Sequence, residues 1–163
     1  MTASVANATN RLPVGMGQIM VGCAGDTLEA VLGSCVGIVL CQPRRSLAAL
    51  AHVVLPSSNA RTGLPGKFAD TAVIELLRLL ELEGAAPSSL VAKLVGGANM
   101  FGNATGPLQV GQANITAAKA LLAQHRLRIG GEHLGGSQGR HIVVDCQTGL
   151  VTVEVVGQAK ISL

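Results

Sequence analysis

Leu32-Gly33-Ser34-Cys35-Val36-Gly37-Ile38-Val39-Leu40-Cys41 leads through the turn Gln42-Pro43-Arg44-Arg45-Ser46 into Leu47-Ala48-Ala49-Leu50-Ala51-His52-Val53-Val54-Leu55-Pro56. Val36, Ile38, Val39 and Leu40 favour extended chain, so a buried strand is expected to start just after Cys35. Leu47 to Leu55 reads as the return strand, which Pro56 ends for want of an N–H to donate. A small-residue turn thus delivers one cysteine between apolar runs, and one histidine follows on the next run. Neighbouring strands of a packed sheet bring such positions side by side.

The residue types suit acyl transfer. The thiolate is the attacking form and a free cysteine has a pKa of about 8.5, so the thiol needs a base or a local positive field. A neutral histidine can take that proton and later pass it to a leaving group. By default a cysteine between apolar strands is an inert small hydrophobe and a histidine in an apolar run is a core residue. The pairing has to be judged with the rest of the chain.

Outward from the hairpin, Gln18-Ile19-Met20-Val21 alternates into Gly22 as a short first strand, and Gly25-Asp26-Thr27 reads as a turn. Ser57 to Lys67 is a loop. Phe68 to Glu83 is a helix, with Ala72, Val73, Leu76, Leu77 and Leu80 at three-four spacing and Gly84 as its stop. Ala92 to Val95 is a strand running into Gly96-Gly97, followed by a glycine-rich loop over Ala98–Pro107. Asn114 or Thr116 caps a second helix to about Gln124, buried through Ile115, Ala118, Leu121 and Leu122. Leu127–Leu134, Ile142–Val144 and Leu150–Val156 read as strands, the last two joined by Asp145-Cys146-Gln147-Thr148-Gly149 with Gly149 at positive φ. The result is one mixed α/β unit over residues 13–163 behind a small, polar, loose tail over 1–12.

Composition narrows the function. Of 163 residues, 48% are hydrophobic and 13% charged, so the chain is rich in core. A formal charge of +3, no Trp or Tyr, and only Phe68 and Phe101 as aromatics give bases nothing to stack on, so nucleic acid is not an expected partner. Cys23, Cys35, Cys41 and Cys146 lack CxxC spacing, so neither a zinc site nor a disulfide framework is expected. No apolar run is long enough for a bilayer and no signal peptide is legible, so a cytoplasmic protein without membrane insertion is expected. Gly96-Gly97 completes no phosphate loop, and no cofactor is expected. A redox pair of Cys35 and Cys41 is not expected, because on one strand six residues would separate them by roughly 20 Å.

Seven blocks of this sequence resemble, in order, the chemoreceptor glutamine deamidase family CheD. They are Leu32-Gly33-Ser34-Cys35-Val36, Ala51-His52-Val53-Val54-Leu55-Pro56, Phe68-Ala69-Asp70-Thr71-Ala72, Gly96-Gly97-Ala98-Asn99-Met100-Phe101, Gly111-Gln112-Ala113-Asn114-Ile115, Gly135-Gly136-Ser137-Gln138-Gly139-Arg140 and Asp145-Cys146-Gln147-Thr148-Gly149. The resemblance spans about residues 18 to 156. It implies two packed mixed β-sheets with flanking helices, similar to a deamidating bacterial toxin. It also implies a cytoplasmic cysteine hydrolase converting glutamines of chemotaxis receptors to glutamate, with receptor cytoplasmic domains as partners. Cys35 would be the nucleophile and His52 the general acid/base. Gly33 and Ser34 would shape the oxyanion turn, and Asn99, Gly136 and Gln138 would line the cleft.

One position departs from the family. Five or six residues before the cysteine, where the family carries a threonine that orients the histidine, this chain has Ala30 and Glu29. Glu29 can orient an imidazolium as carboxylates do in other triads, and Thr27 is the alternative. The family also resembles a binding module for a CheC-type phosphatase that tunes dephosphorylation of the response regulator. A chain without the third catalytic residue could keep that role alone.

Overall fold

The protein is described here by a computed structural model over residues 9–100 and 109–163. In chain order the strands are β1 (Asn10–Pro13), β2 (Ile19–Gly22), β3 (Asp26–Leu32), β4 (Val36–Gln42), β5 (Leu47–Val53), β6 (Val91–Gly96), β7 (Arg128–Leu134), β8 (Arg140–Asp145), β9 (Val151–Glu154) and β10 (Ile161–Ser162). Helix α1 (Ala69–Leu82) precedes β6 and helix α2 (Val110–Gln124) precedes β7. The strands form two five-stranded sheets, ordered β2-β5-β4-β6-β7 and β1-β3-β8-β9-β10. Each is mixed: β6–β7 and β1–β3 are parallel and the remaining pairs antiparallel. The expected α/β architecture of two packed mixed sheets with flanking helices is the one observed.

The β4–β5 hairpin sits at the middle of the first sheet, paired in register from Gln42↔Leu47 to Val36↔Val53. Side chains alternate between the faces of a strand, and each face of this hairpin has its own core. Val36, Ile38 and Leu40 with Ala49, Ala51 and Val53 pack under Ala69, Ala72, Val73, Leu76 and Leu80 of α1 and Ile115, Ala118 and Leu122 of α2. Cys35, Val39, Cys41, Ala48 and Leu50 face the second sheet, meeting Leu28, Ala30 and Leu32 of β3 and Ile142 and Val144 of β8. The alanines of β5 are poor strand formers in isolation. In a central strand they are favoured because a small residue lets a layer settle close above it. Gly37 does the same on the inter-sheet side, where a Cβ would meet Leu32, Ile142 and Leu50 at 3.1–3.3 Å. Truncating a fully buried leucine such as Leu50 or Leu76 would cost about 2–5 kcal/mol.

Helix α1 starts where Asp70 takes up the preceding loop. Its carboxylate accepts from the Ser58 N–H and hydroxyl, the Ser57 hydroxyl and the Thr71 N–H. The helix ends as expected, Gly84 at φ +85 letting the Ala85 N–H return to the Leu80 carbonyl.

Three departures from the sequence reading matter for the site. Asp26-Thr27, expected as a turn, opens β3, whose Leu28, Ala30 and Leu32 alternate inward while Thr27, Glu29 and Val31 alternate outward. β1 occupies Asn10–Pro13, inside the expected tail, held by parallel pairing to β3. Helix α2 begins at Val110, so Asn114 is interior to the helix and caps nothing. The expected glycine-rich loop falls within the described residues only to Met100.

Candidate active site

Cys35 immediately precedes β4, and its turn is gripped from three directions. The Ala98 N–H donates to the Gly33 carbonyl (2.9 Å), the Gly97 N–H to the Cys35 carbonyl (2.8 Å), and Asn114 Nδ2 to the Ser34 carbonyl (3.1 Å). Gly96 and Gly97 approach this closely because both have positive φ, and a Cβ on Gly96 would overlap the Cys35 carbonyl oxygen. All three turn carbonyls are therefore spoken for, which leaves a rigid peptide corner.

His52 lies across the ladder. It pairs with Gly37, two residues beyond Cys35, so both side chains project from the same face toward the second sheet. Cys35 stands one residue beyond the last rung, Val36↔Val53, on the side of the hairpin that carries His52. Both are buried, at 8% and 4% exposure.

The imidazole has one engaged and one unengaged nitrogen. Nδ1 is 2.9 Å from the Val14 carbonyl oxygen. A carbonyl only accepts, so Nδ1 carries the proton and Nε2 the lone pair. Nε2 is buried and has no hydrogen-bond partner among the described residues, the state a base needs before it takes a proton. Val14 is itself fixed, its N–H donating to the Glu29 carbonyl (2.8 Å) and its side chain buried between the sheets.

Burial pushes the Cys35 thiol above its ordinary pKa, partly countered by its own backbone N–H, which favours the thiolate. A resting thiolate is therefore disfavoured, and proton removal by a neighbouring base becomes the route to a nucleophile.

The two candidate orienting residues stand elsewhere. Glu29 and Thr27 lie on the outer face of β3. The Glu29 carboxylate is 3.5 Å from Arg11 Nε and 3.9 Å from His141 Nε2, and the Thr27 hydroxyl donates to the Asn10 carbonyl (3.4 Å). Neither is brought to His52 Nδ1, whose partner is the Val14 main chain. Asn99 donates its N–H to the Gly136 carbonyl (2.8 Å) and lines, with Gly97, Gly136 and Gln112, a small cleft of about 200 Å³. Gln138 instead lines a groove of about 660 Å³ together with Val31, Met100, His141 and Val156. Met100 is also the side chain nearest Gly33, so it stands between that groove and the nucleophile turn. Val31, Met100 and Val156 are exposed apolar residues, which suits contact with a macromolecule.

Arg140 holds the wall between the two openings. Arg140 is 4% exposed, and its guanidinium donates to the His133 and Gln138 carbonyls, to the Gly135 carbonyl and to His133 Nδ1. Burial and the facing Arg140 charge lower the His133 pKa, keeping that ring neutral. Among the described residues no three His, Cys, Asp or Glu side chains are grouped so as to hold a metal ion, and no helix is long and apolar enough to cross a membrane.

Two features of this site escaped the sequence reading. The Val14 carbonyl has no residue-type signature. Asn114 does have one, being a polar residue in phase with the buried stripe Gly111, Ile115, Ala118 and Leu122.

The chain is similar to known proteins. A family model described as "CheD chemotactic sensory transduction" matches residues 54–155. Proteins named "Probable chemoreceptor glutamine deamidase CheD" are similar along most of their length. The one from Methanococcus vannielii is 43% identical over 150 residues, covering 91% of this chain and 97% of the relative. That from Symbiobacterium thermophilum is 38% identical over 154 residues, covering 90% and 93%, and that from Clostridium botulinum (strain Alaska E43) is 37% identical over 142 residues, covering 85% and 88%. Among solved structures, the Bacillus licheniformis hypothetical protein YfiH superposes with a TM-score of 0.48 at 14% identity, over 83% of this chain and 61% of that one. The family model starts two residues past His52, but the Methanococcus alignment leaves out under a tenth of the chain and so includes both Cys35 and His52. On the family match and these relatives, the chain belongs to the CheD family.

Proposed function

We propose that this protein is a cytoplasmic protein-glutamine deamidase that converts glutamine side chains of chemoreceptor cytoplasmic domains to glutamate. The observation that carries the reading is the buried, unpartnered Nε2 of His52, with its Nδ1 proton held by the Val14 carbonyl, on the same sheet face as Cys35. The names of the relatives support the substrate class. The groove with exposed Val31, Met100 and Val156, of which Met100 adjoins Gly33 of the nucleophile turn, suits a protein substrate over a free amino acid.

In this mechanism His52 Nε2 takes the Cys35 proton as sulfur attacks the carboxamide carbon of the glutamine. The tetrahedral oxyanion is met by the Cys35 N–H, in a turn whose Gly33 and Ser34 are locked through their carbonyls. The imidazolium, stabilised by Nδ1–H donation to Val14, returns its proton to the departing ammonia and leaves a thioester. Water deprotonated by Nε2 then attacks the thioester, and the thiol leaves with glutamate as product. Asn99, at the edge of the neighbouring cleft, would contact the substrate backbone. Residues 13–163 would act as one catalytic domain.

The test is peptide mass spectrometry of a glutamine-bearing receptor cytoplasmic fragment incubated with the wild type and with Cys35→Ala. Conversion of glutamine to glutamate by the wild type alone is expected. A folded wild type that converts no glutamine in several receptors, yet binds a CheC-type phosphatase equally with and without Cys35, would make it an interaction module instead.

A further inference from the structure

We infer that Asn114 is a positioning residue that sets the approach of Cys35 to His52 by replacing the missing rung at the end of the β4–β5 ladder. The inference rests on the Cys35–His52 reading above and names a group that neither touches substrate nor transfers a proton.

The ladder stops at Val36↔Val53. Beyond it the strands part. Ser34 and Cys35 turn toward Gly97 and Ala98, while Val54 and Leu55 donate their N–H groups to the Lys67 carbonyl. The Ser34 and Val54 carbonyls are left at the fork. Asn114 Nδ2 enters it from α2, donating to Ser34 at 3.1 Å and to Val54 at 2.9 Å. A primary amide carries two N–H donors on one nitrogen and can bind one acceptor with each. The bridged carbonyls flank the chemistry: Ser34 adjoins the nucleophile, and Val54 is two residues beyond His52 on the same strand face.

Only the amide serves here. An aspartate would turn oxygen toward two carbonyl oxygens, and a serine has one donor on a shorter stem. The observed orientation leaves Oδ1 of the fully buried Asn114 without a hydrogen-bond partner among the described residues. An unpaired buried acceptor costs stability, so both donors are retained at the fork against that cost. Helix α2 is seated to deliver them, because a Cβ on Gly111 would come within 2.6 Å of the Gly97 carbonyl oxygen and also overlap that of Ala98. Gly97 is the same residue that grips the Cys35 carbonyl. Helix start, glycine pair and amide therefore form one cradle around the fork.

The experiment compares Asn114→Ala and the isosteric Asn114→Asp with wild type and His52→Ala. It follows iodoacetamide labelling of Cys35 across pH by peptide mass spectrometry, with buried Cys41 as an internal gauge of opening. Expected for both variants is Cys35 labelling at neutral pH slowed about tenfold, toward the His52→Ala rate, with its pH profile moved to the alkaline side and Cys41 still protected. In the deamidation assay kcat should fall about 100-fold, the effect of a displacement on the order of 1 Å, while KM stays within about threefold. A wild-type Cys35 profile and kcat in either folded variant overturns the inference. So does loss of Cys41 protection in step with the loss of rate, which would make the amide merely structural. If the wild type converts no glutamine while Cys35 labelling still depends on His52 and Asn114, the reaction reading fails and the positioning role stands.

Discussion

Cys35 and Cys41 bound the same run of chain, point into the same inter-sheet core and both have thiols pushed up by burial. Their neighbours differ. Cys41 Sγ lies 3.5 Å from the Val91 carbonyl inside a regular ladder, and a Cβ on Gly149 would meet it at 3.0 Å. Cys35 stands just outside the ladder, at a fork held by foreign hydrogen-bond donors, on the same sheet face as a histidine whose Nε2 has no hydrogen-bond partner among the described residues. Burial and residue type are shared, so neither makes a cysteine reactive. What separates the two is where regular pairing ends and a base can reach in.

The sharpest way to break this comparison is to truncate each thiol. Cys35→Ala should abolish deamidation to the limit of detection. Cys41→Ala should keep turnover within about twofold and lower the urea midpoint by the equivalent of about 1 kcal/mol, the cost of a small buried group. Next, His52→Ala should reduce kcat by about 10²- to 10⁴-fold, the range for a lost general base. Cys35 in that variant should label only as pH rises into and beyond the ordinary thiol range, measured by iodoacetamide uptake.

Alkaline titration probes the far end of the core. Cys146, fully buried, has its thiol pushed from 9.0 up to about 12, by burial first and then by the Asp26 and Asp145 carboxylates. The folded state thus holds this proton more tightly than the unfolded chain. Its contribution is complete below about pH 9 and is lost as pH climbs toward 12, at up to about 1.4 kcal/mol per pH unit. Urea unfolding at pH 8 and pH 11 should show the decline, and Cys146→Ala should make it shallower, the remainder coming from the buried Cys35 and Cys41 thiols. The smallest effect belongs to the outward residues of β3. Glu29→Gln and Thr27→Ala should leave kcat within about twofold, since the Glu29 pairs with Arg11 and His141 are partly exposed and such contacts are worth about 0–1 kcal/mol. A large loss in either variant would return that residue to the catalytic group.

What the sequence discloses follows the same division. The β4–β5 hairpin, α1 and the β8–β9 turn were legible because their cues are local: apolar runs, three-four spacing, and Gly149 at φ +74. β3 was passed over although Leu28, Ala30 and Leu32 alternate cleanly, because Gly25-Asp26-Thr27 carries stronger turn chemistry. β1 and β10 are short and owe their extension to pairing with β3 and β9, which no local pattern encodes. Cys35 and His52 were legible as residue types on adjacent strands. The side chains that could hold the histidine by sequence, Glu29 and Thr27, lie six and eight residues before the cysteine, and β3 turns both outward.

The Val14 carbonyl gives the site an unusual genetics. A side chain that orients a catalytic ring can be deleted by one codon, whereas a main-chain oxygen survives every substitution at its own position. Val14→Ala would still present it, so an alanine scan would pass over the group that decides which nitrogen of His52 is protonated. Only a change in backbone path could remove it: a proline at residue 14 that forfeits the N–H bond to Glu29, or the peeling of β1 from β3. The proton's place on the imidazole is therefore inherited with the fold and not with any one residue.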